Sequence, residues 1–197
     1  MKIRVIDIRG FSRGDFERFY ADMSSERREK ADGFKKEDDR KRCILADYLA
    51  REMISVETGV SPETVEFSED DGGKPYTVNT NIFFNVSHSG NLVACAVSEK
   101  PVGIDIEQIS SKPLKAISRF ATDTEKSFVS DDPVKATILW TLKEACLKAT
   151  GTGVKGGLKS ISFDIAEGNV VCSDSLLKCE YTYEYEGYIL AVCTIEK

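Results

Sequence analysis

The chain is poor in residues that would open whole classes of function. It has one histidine, His88, and its six cysteines form no C-x-x-C pair. A His-rich zinc site is thereby excluded, and any metal is expected on oxygen ligands, which favours hard cations. Several cysteines fall inside apolar periodic segments, where a reduced thiol packs as a small hydrophobe, the usage of a reducing cytoplasm. No window approaches the roughly 20 apolar residues of a bilayer span, and the opening MKIRVIDIRG lacks the apolar run and cleavage pattern of an export signal. A cytoplasmic protein with no membrane partner is expected. A basic surplus is missing too: a net charge of −6 opposes broad nucleic-acid binding, and no nucleic-acid partner is expected. The one basic run, Arg27 to Arg42, carries eight basic against five acidic residues, which a solvated helix face would also explain.

What is present suffices for a folded core: 197 residues, 41% hydrophobic and 30% charged, suit one large domain or two small ones. Two echoes divide the chain. VIDIR (Val5 to Arg9) returns as GIDIE (Gly103 to Glu107), and LVACAVSEK (Leu92 to Lys100) returns as ILAVCTIEK (Ile189 to Lys197), at nearly the same offset. Periodicity predicts, in the first half, a strand at 3–8, helices at 14–22, 25–32 and 36–57, and strands at 65–68, 82–87 and 92–97. The second half gives a strand at 102–107, helices at 122–129 and 133–150, and strands at 160–165, 178–185 and 188–195. Each half is thus one strand, a helical excursion and an antiparallel meander. The expected fold is α+β, a pseudo-twofold monomer of two similar lobes, each a small antiparallel sheet with a long helix. The lobes are placed at 1–101 and 102–197, divided at the SEKP turn, with the active site in the cleft between them.

In VGIDIE the period-2 rule puts Asp105 and Glu107 on one strand face, where two carboxylates repel unless a cation lies between them. An edge strand with a solvated acidic face accounts for them equally, unless a third carboxylate, Glu144, faces the same point and completes a set suited to Mg²⁺. In WTLKEACLKATG, at about 100° per residue, Leu139, Leu142, Ala145, Cys146 and Ala149 form an apolar stripe, with Trp140, Glu144 and Lys148 nearly opposite. Glu144 and Lys148 have i,i+4 salt-bridge spacing, which leaves Trp140 unexplained. FFNVSHSGN ends a strand in Ser87, His88, Ser89 and Gly90, which suits either an anion cradle or a turn. DDGGKPY is a turn with Lys74 at its tip. Thr122 and Glu125 have capping-box spacing, enough to explain both.

FNVSHSG, VGIDIE and WTLKEACLK, in this order, with GKP at Gly73 to Pro75 and a basic helical stretch ahead of them, resemble the 4′-phosphopantetheinyl transferases of the kind that activate surfactin synthetase. The likeness runs from about Ser25 to Lys148 and more weakly to GYILAVC. It implies a pseudo-twofold α+β monomer that moves the phosphopantetheine arm of coenzyme A, with Mg²⁺, onto a serine hydroxyl of an apo acyl or peptidyl carrier protein, releasing adenosine 3′,5′-bisphosphate. By resemblance, Asp105, Glu107 and Glu144 hold the metal. His88 and Lys148 take phosphate oxygens, with Ser87 in the same strand-end cradle and Lys143 and Lys74 nearby. Arg27, Lys30 and Arg42 meet the adenosine end and its 3′-phosphate, and Glu144, directly or through water, is the base. Cys43 stands where relatives often carry a hydroxyl, and Arg9 stands opposite Glu107 in the repeat, so one site is expected. The rivals are another Mg²⁺-dependent phosphoryl enzyme, such as a nuclease or phosphodiesterase, and a non-catalytic lobe that binds an acidic helix.

Overall fold

The computed structural model describes residues 1–153, 157–166 and 169–196; Lys197, the last residue of the second echo and of the expected second lobe, lies outside them. The first half runs β1 (Lys2–Asp7), α1 (Arg13–Asp22), α2 (Ser25–Asp32), α3 (Glu37–Thr58), β2 (Phe67–Glu69), β3 (Pro75–Thr77), β4 (Phe83–Ser89) and β5 (Leu92–Ser98). The second runs β6 (Val102–Gln108), α4 (Ser111–Lys115), α5 (Ile117–Phe120), α6 (Asp123–Val129), α7 (Pro133–Thr150), β7 (Phe163–Ala166), β8 (Asn169–Cys172), β9 (Leu177–Thr182) and β10 (Tyr188–Ile195).

Helices begin where the sequence offers caps. Ser12 with Asp15, and Thr122 with Glu125, form capping boxes. Asp132 accepts from Val134 N and Lys135 N ahead of Pro133 in the first turn of α7. Both long helices stop on a glycine in the left-handed region, Gly59 (φ 74°) and Gly151 (φ 71°), which spares the Cβ clash another residue would meet.

The main sheets have the same plan. Strand order is β1-β5-β4 in one and β6-β10-β9 in the other, all antiparallel, so the first strand of each half pairs with its last. The simple meander expected from periodicity is corrected. Its first strand leaves the main sheet and makes a hairpin with a strand not anticipated, β2 with β3 and β7 with β8. Pro75 to Thr77 carries too little alternation to stand out from the turn before it. Each lobe has its own core, the first around Ile44, Leu45 and Leu49 of α3, the second around Leu139, Leu142 and Ala145 of α7. A third core joins them, with Ala94 and Ala96 of β5 against Ile104, Ile106, Leu190 and Val192.

The sheets meet edge to edge at β4 and β6, and there the strands are joined by side chains. Asn85 Oδ1 accepts from Ile104 N (2.9 Å), Ser87 Oγ from Ile106 N (3.3 Å) and Ser89 Oγ from Gln108 N (3.1 Å). Alternate residues of β4 thus satisfy alternate N–H groups of β6, donors that would be costly to bury unpaired.

Pairing also corrects the repeat. Ala94 faces Val5, and its echo Ala191 faces Asp105; Leu92 faces Asp7, and its echo Ile189 faces Glu107. Register therefore equates Val5 with Asp105 and Asp7 with Glu107, one pleat away from the VIDIR–GIDIE alignment that set Arg9 opposite Glu107. Arg9 instead forms an ion pair with Asp7 (2.6 Å).

Candidate active site

α3 packs over β5 and β4, and α7 over β6 and β10, so the two long helices flank the β4–β6 seam. Between them opens a cleft of about 980 Å³, lined from one side by Arg27, Lys30 and Asp47 and from the other by Asp105, Glu107, Trp140, Glu144 and Lys148. Its size is that of a ligand-binding pocket.

The acidic wall depends on Gly103. A Cβ there would stand 2.1 Å from Ala145 O and 2.3 Å from Ala149 N, so only glycine lets α7 lie this close on β6. That approach brings Lys148 Nζ to 2.6 Å from Asp105 Oδ1 and 2.9 Å from Ser87 Oγ. Ser87 Oγ in turn donates to Asp105 Oδ1 at 2.7 Å. Lys148 thus pairs across the cleft wall rather than with Glu144 along its own helix. Asp105 is 4% exposed, and its Oδ2 is buried with no hydrogen-bond partner among the described residues.

Glu107 Oε2 accepts from Ser89 Oγ at 2.9 Å. Burial, and then the Asp105 charge, push its pKa above the usual glutamate value, opposed by Ser89, the Trp140 indole N–H and Lys148. Glu144 is raised in the same way, by burial first and then by repulsion from Asp105 and Glu107, against Lys148. Trp140, packed edge-on against Phe120 at 5.2 Å, is accounted for: it closes the core on one side and lines the cleft on the other. His88 keeps an exposed face at the cleft wall, yet desolvation within the concavity, then Arg42 and Lys148, hold its pKa below the ordinary histidine value.

Asp105, with its orphaned buried oxygen, and Glu107 and Glu144, whose pKa values burial and the Asp105 charge raise, form a donor set suited to a hard divalent cation. Their oxygens do not all draw within 4.8 Å of one another, a closeness reached by Cys146, Cys172 and Cys179 instead. Mutual repulsion keeps the acids apart, and the Lys148 ammonium takes one Asp105 oxygen.

Of the anticipated basic residues, Arg27, Lys30, His88 and Lys148 line the cleft together with Ser87. Arg27 Nε reaches Asp47 at 3.3 Å, and Asp47 also holds Arg51 at 2.7 Å one turn along the same helix, a trio the sequence reading missed because Arg27 comes from another helix. Arg42 does not line the cleft: it donates to Gly90 O (2.5 Å) and pairs with Asp39, beside His88. Cys43 lines it as a buried thiol whose pKa is raised chiefly by desolvation.

Two expectations are corrected. Lys143 is 1% exposed and points away from the cleft. It forms an ion pair with Glu125 at 2.9 Å and donates to Leu158 O (2.9 Å) and Ile161 O (2.7 Å). One residue is 100° of helix, enough to turn it from the cleft into the core. Lys74 likewise donates to Ala149 O at 3.0 Å and Val102 O at 3.4 Å, fastening its turn to the end of α7. Glu125 completes the capping box, receives Phe163 N at 3.0 Å and is structural.

Both halves match known families. The model described as "4'-phosphopantetheinyl transferase superfamily" matches residues 101–193, and that described as "4'-phosphopantetheinyl transferase, N-terminal" matches 11–100. The chain is 35% identical to 4'-phosphopantetheinyl transferase Sfp of Bacillus subtilis, covering 94% of this chain and 88% of that one. It is 32% identical to 4'-phosphopantetheinyl transferase gsp of Aneurinibacillus migulanus, covering 78% and 68%. The crystal structure of Helicobacter pylori holo-[acyl-carrier-protein] synthase in complex with coenzyme A aligns with a TM-score of 0.42 at 23% identity, over 48% of this chain and 99% of that one. With matches across both lobes and about a third of its residues shared with Sfp over nearly its whole length, the chain belongs to the 4′-phosphopantetheinyl transferase family.

Proposed function

We propose that the protein transfers the 4′-phosphopantetheine arm of coenzyme A to a serine hydroxyl of an apo acyl or peptidyl carrier protein, with Mg²⁺ held by Asp105, Glu107 and Glu144. The observation that carries the metal assignment is Asp105 Oδ2, buried without a partner among the described residues, on a side chain that lines the cleft together with two further carboxylates raised by burial and by the Asp105 charge. Mg²⁺ would neutralise pyrophosphate charge as the bond to the leaving group breaks.

The chain's own residues do the rest. Arg27 and Lys30 draw in the adenosine end and its 3′-phosphate, to which Arg42, now held by Gly90 O and Asp39, would have to turn, and Phe84 and Val86 offer the base an apolar wall. Lys148 and His88, on the cleft wall, would take pyrophosphate oxygens, and in moving to phosphate Lys148 would release Asp105. Glu144, which lines the cleft, takes the serine proton. The serine oxygen bonds to the β-phosphorus, the pyrophosphate bond breaks, and adenosine 3′,5′-bisphosphate leaves carrying the negative charge that the cations oppose. Lobes 1–101 and 102–197 divide this work, nucleotide grip against acids, so one monomer completes a site. Its six free cysteines suit a reducing cytoplasm.

The test is incubation with coenzyme A, Mg²⁺ and an apo carrier protein, read by mass spectrometry. A carrier heavier by one phosphopantetheine arm is expected, lost when a chelator is added. Hydrolysis of coenzyme A with no gain on any of several carriers would overturn the proposal in favour of a phosphodiesterase.

A further inference from the structure

On the side of α7 away from the cleft, four of the six cysteines converge. Cys146 of α7 has its sulfur 3.2 Å from that of Cys179 on β9 and 3.4 Å from that of Cys193 on β10, and the latter two are 3.3 Å apart. Cys172 of β8 completes the group, within 4.8 Å of Cys146 and Cys179. Register sets Cys179 directly opposite Cys193. The other two, Cys43 and Cys95, are buried in the first lobe's core.

These separations fit neither simple alternative. Unbonded atoms of this size sit best about 3.5–4.0 Å apart, so three sulfurs at 3.2–3.4 Å are crowded. A disulfide would need about 2.05 Å. Four thiolates around a tetrahedral zinc, each about 2.3 Å from the ion, would lie about 3.8 Å from one another, so Cys146, Cys179 and Cys193 would spread slightly while Cys172, which lies within 4.8 Å of Cys146 and Cys179 but not of Cys193, would move in to close a coordination shell.

The geometry points to a structural metal site of zinc type, in which Cys146, Cys172, Cys179 and Cys193 bind one soft divalent ion. Each thiol releases its proton to solvent on binding, and the ion exchanges its waters for sulfur. Four ligands from four elements would fasten α7 to β10, to β9 and to the β7–β8 hairpin, holding the helix that carries Glu144 and Lys148. The absence of C-x-x-C spacing hid the site, because no two of its ligands are local in sequence.

The experiment is elemental analysis of the full chain purified in reducing, chelator-free buffer, for wild type, Cys172→Ser, Cys179→Ser and Cys95→Ser. About one zinc per chain is expected in wild type and Cys95→Ser, falling at least about fivefold in the other two. Stripped wild type should develop sulfur-to-metal charge-transfer absorption on adding Co²⁺, and zinc should restore the melting temperature lost on stripping. Iron in place of zinc would support the site and change its ion. Should a cysteine variant fail to fold by circular dichroism, the wild-type arm decides: no zinc or iron above background together with no Co²⁺–thiolate band would overturn the proposal. So would metal content that is unchanged in folded Cys172→Ser and Cys179→Ser.

Discussion

Between β4 and β6 the sheets are stitched by Asn85, Ser87 and Ser89, whereas at the twofold-related place Ile3 of β1 faces Glu180 to Thr182 of β9 across a cavity of about 320 Å³. Pairing register makes Val5 the counterpart of Asp105, Ile3 of Gly103 and Tyr181 of Ser87. The second seam therefore has Tyr181 and Val5 in place of Ser87 and Asp105, and Ile3 stands where Gly103 lets a helix lie down. α3 accordingly packs over β5 and β4, while α7 covers β6. Duplication supplied two equivalent edges; three substitutions on one of them, together with the shift of α7, made a site.

The contrast can be broken most severely at its acids. Asp105→Ala should lower transfer on the order of 10³-fold or more, since metal and Lys148 both lose their anchor. Val5→Ala, at the matching position, should leave kcat/KM within about twofold. Steady-state kinetics with saturating Mg²⁺ checks both, and an active Asp105→Ala enzyme would remove the metal assignment.

Glu144→Gln comes next, at roughly 10²–10³-fold in kcat. It also carries a pH signature. Glu107 and Glu144 have folded-state pKa values raised above the ordinary one, by burial first, so the metal-free native state binds more protons than the unfolded chain between the two values. The resulting stability is complete below the ordinary glutamate pKa and is lost as pH rises through the raised ones. In chelator, the melting temperature should fall across that window, less so in Glu144→Gln, and Mg²⁺ should recover it. A Glu144→Gln profile that overlays wild type would show that this carboxylate is not under strain.

Gly103→Ala follows. The added Cβ must push α7 off β6, costing about 1–3 kcal/mol in overpacking. Because a misplacement of about 1 Å can cost about 10²-fold, transfer should fall by that order. Ile3→Ala at the other seam, 37% exposed, should cost about 1 kcal/mol or less and leave transfer intact. Chemical denaturation paired with kinetics separates the two effects.

How much of this was legible follows from range. Helices at 25–32 and 133–150 were readable to the residue because their caps are local, and so were the faces of α7: Leu139, Leu142 and Ala145 are fully buried, while Trp140, Glu144 and Lys148 line the cleft. Period-2 alternation likewise set Asp105 and Glu107 on one face. Illegible were features decided by tertiary geometry: Lys143, adjacent to Glu144 yet committed to Glu125; Lys74, spent on carbonyls of α7; the register shift that replaced Arg9 by Asp7; and the four sulfurs, whose spacing along the chain carries no period.

The smallest expected effect tests whether the seam is a scaffold or part of the chemistry. Asn85 is 5% exposed and is the acceptor for the buried Ile104 N–H, so Asn85→Ala strands a donor and should cost about 1–3 kcal/mol. Ser89 bonds the N–H of exposed Gln108, which water can satisfy, so the stability cost of Ser89→Ala should be about 1 kcal/mol or less. Ser89 also holds Glu107, however, and its loss should raise the Mg²⁺ concentration needed for half-maximal transfer several-fold, while Asn85→Ala leaves that concentration unchanged. The two variants therefore cross: the one that unfolds more readily keeps its metal response, and the one that stays stable loses part of it. Parallel losses in both readouts would mean that the stitching and the acids are a single structural unit, and that the asymmetry between the seams concerns folding before it concerns catalysis.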